Sequence, residues 1–354
     1  MTQPLRCLHF GLGRHGSKTY ANNVLPKLAE QGRLEVAGLV EPDPQRLAEA
    51  GEKLGVPESR RFAEAREALD RVEADVATVA TPCLTHEPIA VAALERGMDL
   101  FLEKPVGPDW ASSRRIYEAA RRNGRKAAVN MTARFHQDKQ TMARYLRGGD
   151  CGAVDYLFLR FSWNQANPSA YQRENDDPYL LEAGVHGLDI LRECASSEPV
   201  SVSCHGWNPA PDRFKGISAV VVFAEMASGA RCLMEGSWGV KATINDWGSE
   251  YARADTAEGA VVLDHQKLVH YRPLPGRPSR PEPRELPLVD GEAWQHLRLL
   301  GDFLDWSAGR RPDHPTAFDD NLRCMAFLFA AIESCRRGGE RVDPRRYLAE
   351  IGLA

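Results

Sequence analysis

The feature that most constrains this chain is a glycine run set between two different periodicities. Leu5–Phe10 is an apolar stretch of strand length, Gly11-Leu12-Gly13-Arg14-His15-Gly16 follows it directly, and a helical pattern runs from about His15 to Glu30. Glycines in that position permit a tight turn and let a pyrophosphate approach the backbone, where a helix N-terminus offers N–H groups and a partial positive charge. A GxGxxG string alone also occurs in ordinary turns. After a strand and at the head of a helix it marks a dinucleotide site, with Gly11, Gly13, Arg14, His15 and Gly16 as its contacts.

The alternation continues. Leu34–Val40 reads as a second strand, a helix follows Pro42 through Leu54, and Ala74–Ala80, Met98–Leu102 and Lys126–Met131 read as strands separated by helices at Glu87–Arg96 and Asp109–Arg122. Strand and helix alternating at this spacing predict a Rossmann-like, doubly wound parallel sheet of the α/β class over residues 1–126. Beyond Arg134 the texture changes to longer strands, at Val154–Trp163, Val200–Trp207, Ala219–Met226 and Arg231–Trp238. These predict an α+β domain with a large, mostly antiparallel open sheet over residues 127–354. Six prolines between Pro273 and Pro287 exclude a central strand there and leave an edge or a surface loop. Helices at about Glu292–Ala308 and Asp319–Arg336 close the chain and are free to pack back on the first domain.

Charge narrows the partners. Lys plus Arg number 45 against 49 Asp plus Glu, a formal charge of −4, which carries no footprint for nucleic acid. No apolar stretch reaches the ~18 residues of a membrane span, and the N-terminus has no secretory pattern. Eight cysteines are scattered without a CxxC pair, so they are expected to be reduced and the protein cytoplasmic. Cys83-x-x-His86 has no second half at ligand spacing, and no metal is expected.

Glu41 ends the second strand, 25 residues beyond Gly16. A carboxylate there accepts both adenosine ribose hydroxyls and repels a 2′-phosphate, which favours NAD over NADP, although Arg46 a turn later could receive a phosphate. Glu103-Lys104-Pro105 sets a cation at the C-terminal end of a parallel strand, where open α/β sheets bind ligands. His186 lies on an expected helix from Tyr179 to Cys194, with Glu182 four residues earlier on the same face, where a carboxylate can orient an imidazole.

With the run Thr81-Pro82-Cys83-Leu84-Thr85-His86, the EKP element and Gly184-Val185-His186-Gly187-Leu188-Asp189, the chain resembles the glucose–fructose oxidoreductase/inositol dehydrogenase/MocA (Gfo/Idh/MocA) family along nearly its whole length. The resemblance implies that Thr81, Pro82, His86, Glu103 and Lys104 border the cofactor and that Lys104–Pro105 is cis. It also implies that Lys104 steadies a substrate alkoxide while His186, held by Glu182, takes the proton. Members usually carry Asp where this chain has Glu182. Arg134, Trp163, Asn164 and Tyr179 are candidate contacts for a sugar or polyol; Trp207, Trp238 and Trp247 read as sheet packing. The function expected is an NAD-dependent dehydrogenase of a sugar, inositol or related polyol, acting as a homodimer or homotetramer. The alternatives are an NAD-dependent glycoside hydrolase and a non-catalytic NAD-sensing regulator.

Overall fold

The computed structural model describes residues 3–289 and 295–354. The chain divides into two compact units, Met1–Thr132 with Trp294–Leu322, and Ala133–Ala293 with Arg323–Ala354.

The first unit is built on six parallel strands: β1 (Leu5–Phe10), β2 (Leu34–Val40), β3 (Arg61–Phe62), β4 (Val76–Val79), β5 (Asp99–Leu102) and β6 (Ala127–Val129), in the order β3-β2-β1-β4-β5-β6. β4 and β5 are buried along their whole length, as strands covered on both faces must be, which is why they read as continuous apolar runs. The order reverses between β1 and β4, which leaves a crevice beyond their carboxyl ends. The short β3 and the helix Ala65–Arg71 were not read from sequence. The helix expected from His15 to Glu30 is two pieces, a π-wound Gly16–Val24 and an α-helical Leu25–Glu30. Pro26 has no N–H to continue a regular ladder through the junction.

The second unit holds an eight-stranded sheet made of β7 (Val154–Ser162), β8 (Pro199–Trp207), β9 (Ala219–Met226), β10 (Arg231–Ser237), β11 (Tyr251–Thr256), β12 (Gly259–Asp264), β13 (Lys267–Leu274) and β14 (Arg277–Leu286). The order is β14-β13-β12-β11-β7-β10-β9-β8, antiparallel except where β10 pairs with β7. The proline-rich segment runs from the end of β13 through the edge strand β14, where missing donors can face outward. The meander β11–β13 went unread, because its runs are short and interrupted by charged residues. The helix expected from Glu292 begins at His296; Glu292 lies outside the described residues.

The helix Val185–Ala195 packs on this sheet through Gly187, where a Cβ would stand 2.5 Å from the Met234 sulfur and 3.2 Å from Leu159 Cδ2. Only a residue without a side chain allows that approach. The turn before it, Leu180–Gly184, is π-wound, so the α-helical i−4 alignment of Glu182 with His186 does not carry over unchanged.

Candidate functional site

In the first unit the glycine loop is a cradle that side chains would fill. Gly11 has φ +94° and lies against β4's end, with an added Cβ 2.7 Å from the Ala80 carbonyl; a Cβ on Gly16 would stand 2.0 Å from the Gly11 oxygen. Gly13 opens to space, with nothing within 4 Å of its Cβ position. Gly11, Gly13, Glu41, Arg46, Thr81 and Pro82 line one cavity of about 900 Å³. The volume and the bare backbone suit a dinucleotide's adenosine end. Glu41 is buried; its Oε2 accepts the Leu12 N–H at 2.6 Å and its Oε1 the Asp43 N–H at 3.1 Å. Each oxygen keeps a lone pair for a ribose hydroxyl.

Other residues from the cofactor set stand apart from that cavity. His86 is fully buried, with Nε2 2.9 Å from the Thr81 carbonyl and Nδ1 3.0 Å from that of Pro105, so it braces the ends of β4 and β5. Burial lowers its pKa. Glu103 is buried beneath the loop, where Oε1 accepts from Tyr20 Oη at 2.9 Å and Asn130 Nδ2 at 2.6 Å and faces His15 Nε2 at 2.9 Å. Burial alone would raise its carboxyl, but His15, His296 and the Asn130 amide outweigh that and hold it well below the usual carboxylate range. Lys104 follows, half-buried, and the Lys104–Pro105 bond is cis. The ring of His9, beneath the loop, is pushed down to about 4 by burial; Gly11's carbonyl can only accept, so Nε2 donates to it and Nδ1 accepts from Thr78.

In the second unit His186 is buried, and the edge of its ring meets Trp247 at a centroid distance of 5.2 Å. Trp247 packs on Phe161 at 4.6 Å and Trp163 at 5.6 Å, and remains 38% exposed. Trp163 and Trp247 make an aromatic wall, and Trp247 packs on Phe161 of β7 as expected of sheet packing while also meeting the His186 imidazole. No local signal marks that second contact, since Trp247 lies 61 residues from His186 in a loop between strands. Trp207 is instead exposed, while Trp238 packs in the core against Tyr179 and Phe214.

Tyr179 is fully buried against Gly236, and its hydroxyl donates to the Phe161 carbonyl at 2.6 Å, so it shapes the wall from behind instead of facing a ligand. Arg134, 4% exposed, pairs with Asp189 at 3.3 Å and Glu193 at 3.6 Å and anchors the His186 helix. Asn164 accepts from Arg213 at 2.6 Å through Oδ1. Glu182 is half-buried. Lys104 belongs to the first unit and His186 and Glu182 to the second.

A parallel sheet in this strand order, with a glycine cradle and a carboxylate beyond its carboxyl edge, defines a dinucleotide-binding enzyme fold. Residues 5–131 match the model described as oxidoreductase family, NAD-binding Rossmann fold, and residues 140–249 match the GFO/IDH/MocA C-terminal domain. The chain is 33% identical over 346 residues, 94% of each chain, to the uncharacterized protein y4oX of Sinorhizobium fredii. It is 26% identical over 240 residues to the scyllo-inositol 2-dehydrogenase (NAD(+)) of Bacillus subtilis, 67% of this chain and 68% of that one. Among solved structures, an oxidoreductase from Agrobacterium radiobacter in complex with NAD+, L-tartaric acid and magnesium shares the fold with a TM-score of 0.82 at 18% identity, over 97% of this chain and 99% of that one. The chain belongs to the Gfo/Idh/MocA family. It is an oxidoreductase whose cofactor is NAD.

Proposed function

We propose that this protein is a dehydrogenase that oxidises a secondary alcohol of a sugar, inositol or related polyol, or reduces the corresponding ketone. The observation that carries the reading is Lys104 at the carboxyl end of β5, on the sheet edge that also bears the glycine cradle. The inositol dehydrogenase relative supports the substrate class. NAD, when bound, would supply the hydride acceptor for this oxidation. His186 takes the hydroxyl proton, Glu182 steadies the imidazole, and Lys104 stabilises the developing alkoxide through its charge. Trp163 and Trp247 offer aromatic faces to the C–H surface of a ring, with the first domain holding cofactor and the second holding substrate. A cytoplasmic location fits the cysteine usage, and among the described residues no helix is long and apolar enough to cross a membrane.

The uncovered face of the second sheet supports a homo-oligomer. Of the large side chains on or just beyond its strands, Met234 and Trp238 are buried, whereas Trp207 and Phe223 retain exposure. A monomeric mass by light scattering would remove that part of the reading.

The decisive experiment is a screen of polyols and sugars for NADH formation, followed by kinetics of His186→Ala and Lys104→Ala. Each is expected to lose about 10²–10⁴-fold in kcat, with NAD affinity nearly unchanged in His186→Ala, and the two losses should not add. A His186→Ala enzyme that keeps more than about half the rate at every pH overturns the mechanism. Cleavage of a glycoside without net NADH would favour the hydrolase.

A further inference from the structure

His15, Glu103 and His296 come from the glycine loop, the end of β5 and the first turn of the closing helix His296–Ser307, 88 and 193 residues apart. The first unit nevertheless brings them together, with candidate ligand atoms of all three within 4.8 Å of one another. His15 Nε2 faces Glu103 Oε1 at 2.9 Å, and the two imidazoles meet edge to face with centroids 5.5 Å apart. Asn130 Nδ2 stands 2.6 Å from Glu103 Oε1, 2.9 Å from His296 Nδ1 and 3.0 Å from Tyr20 Oη. An amide nitrogen has two hydrogens, so Asn130 serves two of these three at once. The cluster is rich in lone pairs around an ionised, buried carboxylate, and what complements such a group is a cation.

We propose that His15, Glu103 and His296 bind a divalent transition-metal ion of borderline softness, such as Zn²⁺ or Co²⁺, through two imidazole nitrogens and one carboxylate oxygen. Imidazole selects against Mg²⁺ and Ca²⁺, and the lack of a thiolate in the set selects against the softest ions. Metal–ligand bonds of about 2.0–2.2 Å set tetrahedral ligand atoms about 3.4 Å apart, so the 2.9 Å His15–Glu103 pair opens slightly while the wider separations, up to 4.8 Å, close. His15 contributes to that adjustment, since its side chain is 48% exposed. Three protein ligands leave a coordination position for water or for an oxygen of a bound molecule. No metal is expected from the sequence, where Cys83-x-x-His86 lacks a second half, and His15, Glu103 and His296 stand at no ligand spacing from one another.

The test uses the full chain without a histidine tag, stripped with chelator and dialysed. Titration with Co²⁺ should produce the visible d–d bands of a low-coordinate site and saturate at a single equivalent, and equilibrium dialysis should show Zn²⁺ retained at the same stoichiometry. His15→Gln and His296→Gln should each weaken binding by more than about tenfold, the loss already typical when only an outer partner is removed. The double variant should lose the bands, with near-ultraviolet circular dichroism reporting that it is folded. Should the double variant misfold, the less buried His15→Gln change is read alone. A wild-type chain that retains no zinc, or folded variants that bind Co²⁺ as the wild type does, overturns the proposal.

Discussion

A buried polar cluster in each unit can be set against the other, and the two are built on opposite plans. In the second unit Lys139 sits between Asp138 Oδ2, at 3.1 Å, and Glu250, while His136 Nδ1 faces Asp138 Oδ1 at 3.0 Å; all four residues are at most 4% exposed. Burial would raise the Asp138 carboxyl, but His136 and Lys139 outweigh it and lower its pKa. Glu250 also accepts the Gly248 N–H at 3.1 Å, next to the Trp247 that meets His186. This sealed cluster sets the course of a loop. In the first unit Glu103 is buried as well, yet one of its partners, His15, is half exposed. A buried charge whose partners are all buried positions structure, whereas one with a partner open to solvent retains the capacity to take a ligand.

That contrast can be broken most sharply at Lys139. Lys139→Met leaves Asp138 and Glu250 buried without their cation and should cost about 3–5 kcal/mol in urea unfolding. A loss below about 1 kcal/mol would mean that water reaches the cluster and that it is not sealed.

The first unit should show its own signature in acid. The folded-state pKa of His9, about 4, lies below the ordinary 6.5, so its neutral form is not at a disadvantage above about pH 6.5. As the pH falls from there toward 4 the unfolded chain takes up a proton that the folded one refuses, and stability drops by on the order of 3 kcal/mol. His9→Gln should flatten that part of the profile, read from urea midpoints between pH 7 and 4.5. An unchanged slope would place the acid sensitivity elsewhere.

A smaller effect tests the wall behind the aromatic site. A Cβ at Gly236 would stand 2.2 Å from Tyr179 Oη, so Gly236→Ala should cost about 1–3 kcal/mol and displace Tyr179 from the Phe161 carbonyl. Tyr fluorescence and unfolding together would report it, and a neutral Gly236→Ala would show that the wall yields. The least effect is expected at Glu41. NAD should bind several-fold tighter than NADP, about 1 kcal/mol for one like-charge contact at a screened site, and Glu41→Gln should narrow the gap. Equal affinities in the wild type would show that Arg46 offsets the carboxylate.

The parallel sheet was legible in the amino-acid order, because strand and helix periodicities are local and a βαβ crossover has one favoured hand. So were the glycine cradle and Glu41, which lie within 31 residues along one strand-helix-strand unit. Tyr179, Arg134 and His86 were visible as residue types suited to ligands, but what each side chain touches depends on partners far along the chain: Phe161 for Tyr179, Asp189 for Arg134, Pro105 for His86. Likewise the β11–β13 meander rests on cross-strand pairing that short, charge-interrupted runs do not announce. Only the tertiary structure decided that Trp247 stands at His186 and that His15, Glu103 and His296 share one pocket. A spacing of 88 or 193 residues has no period, and the chain closes it only when the glycine loop, β5 and the last helices of the first unit pack around a common core.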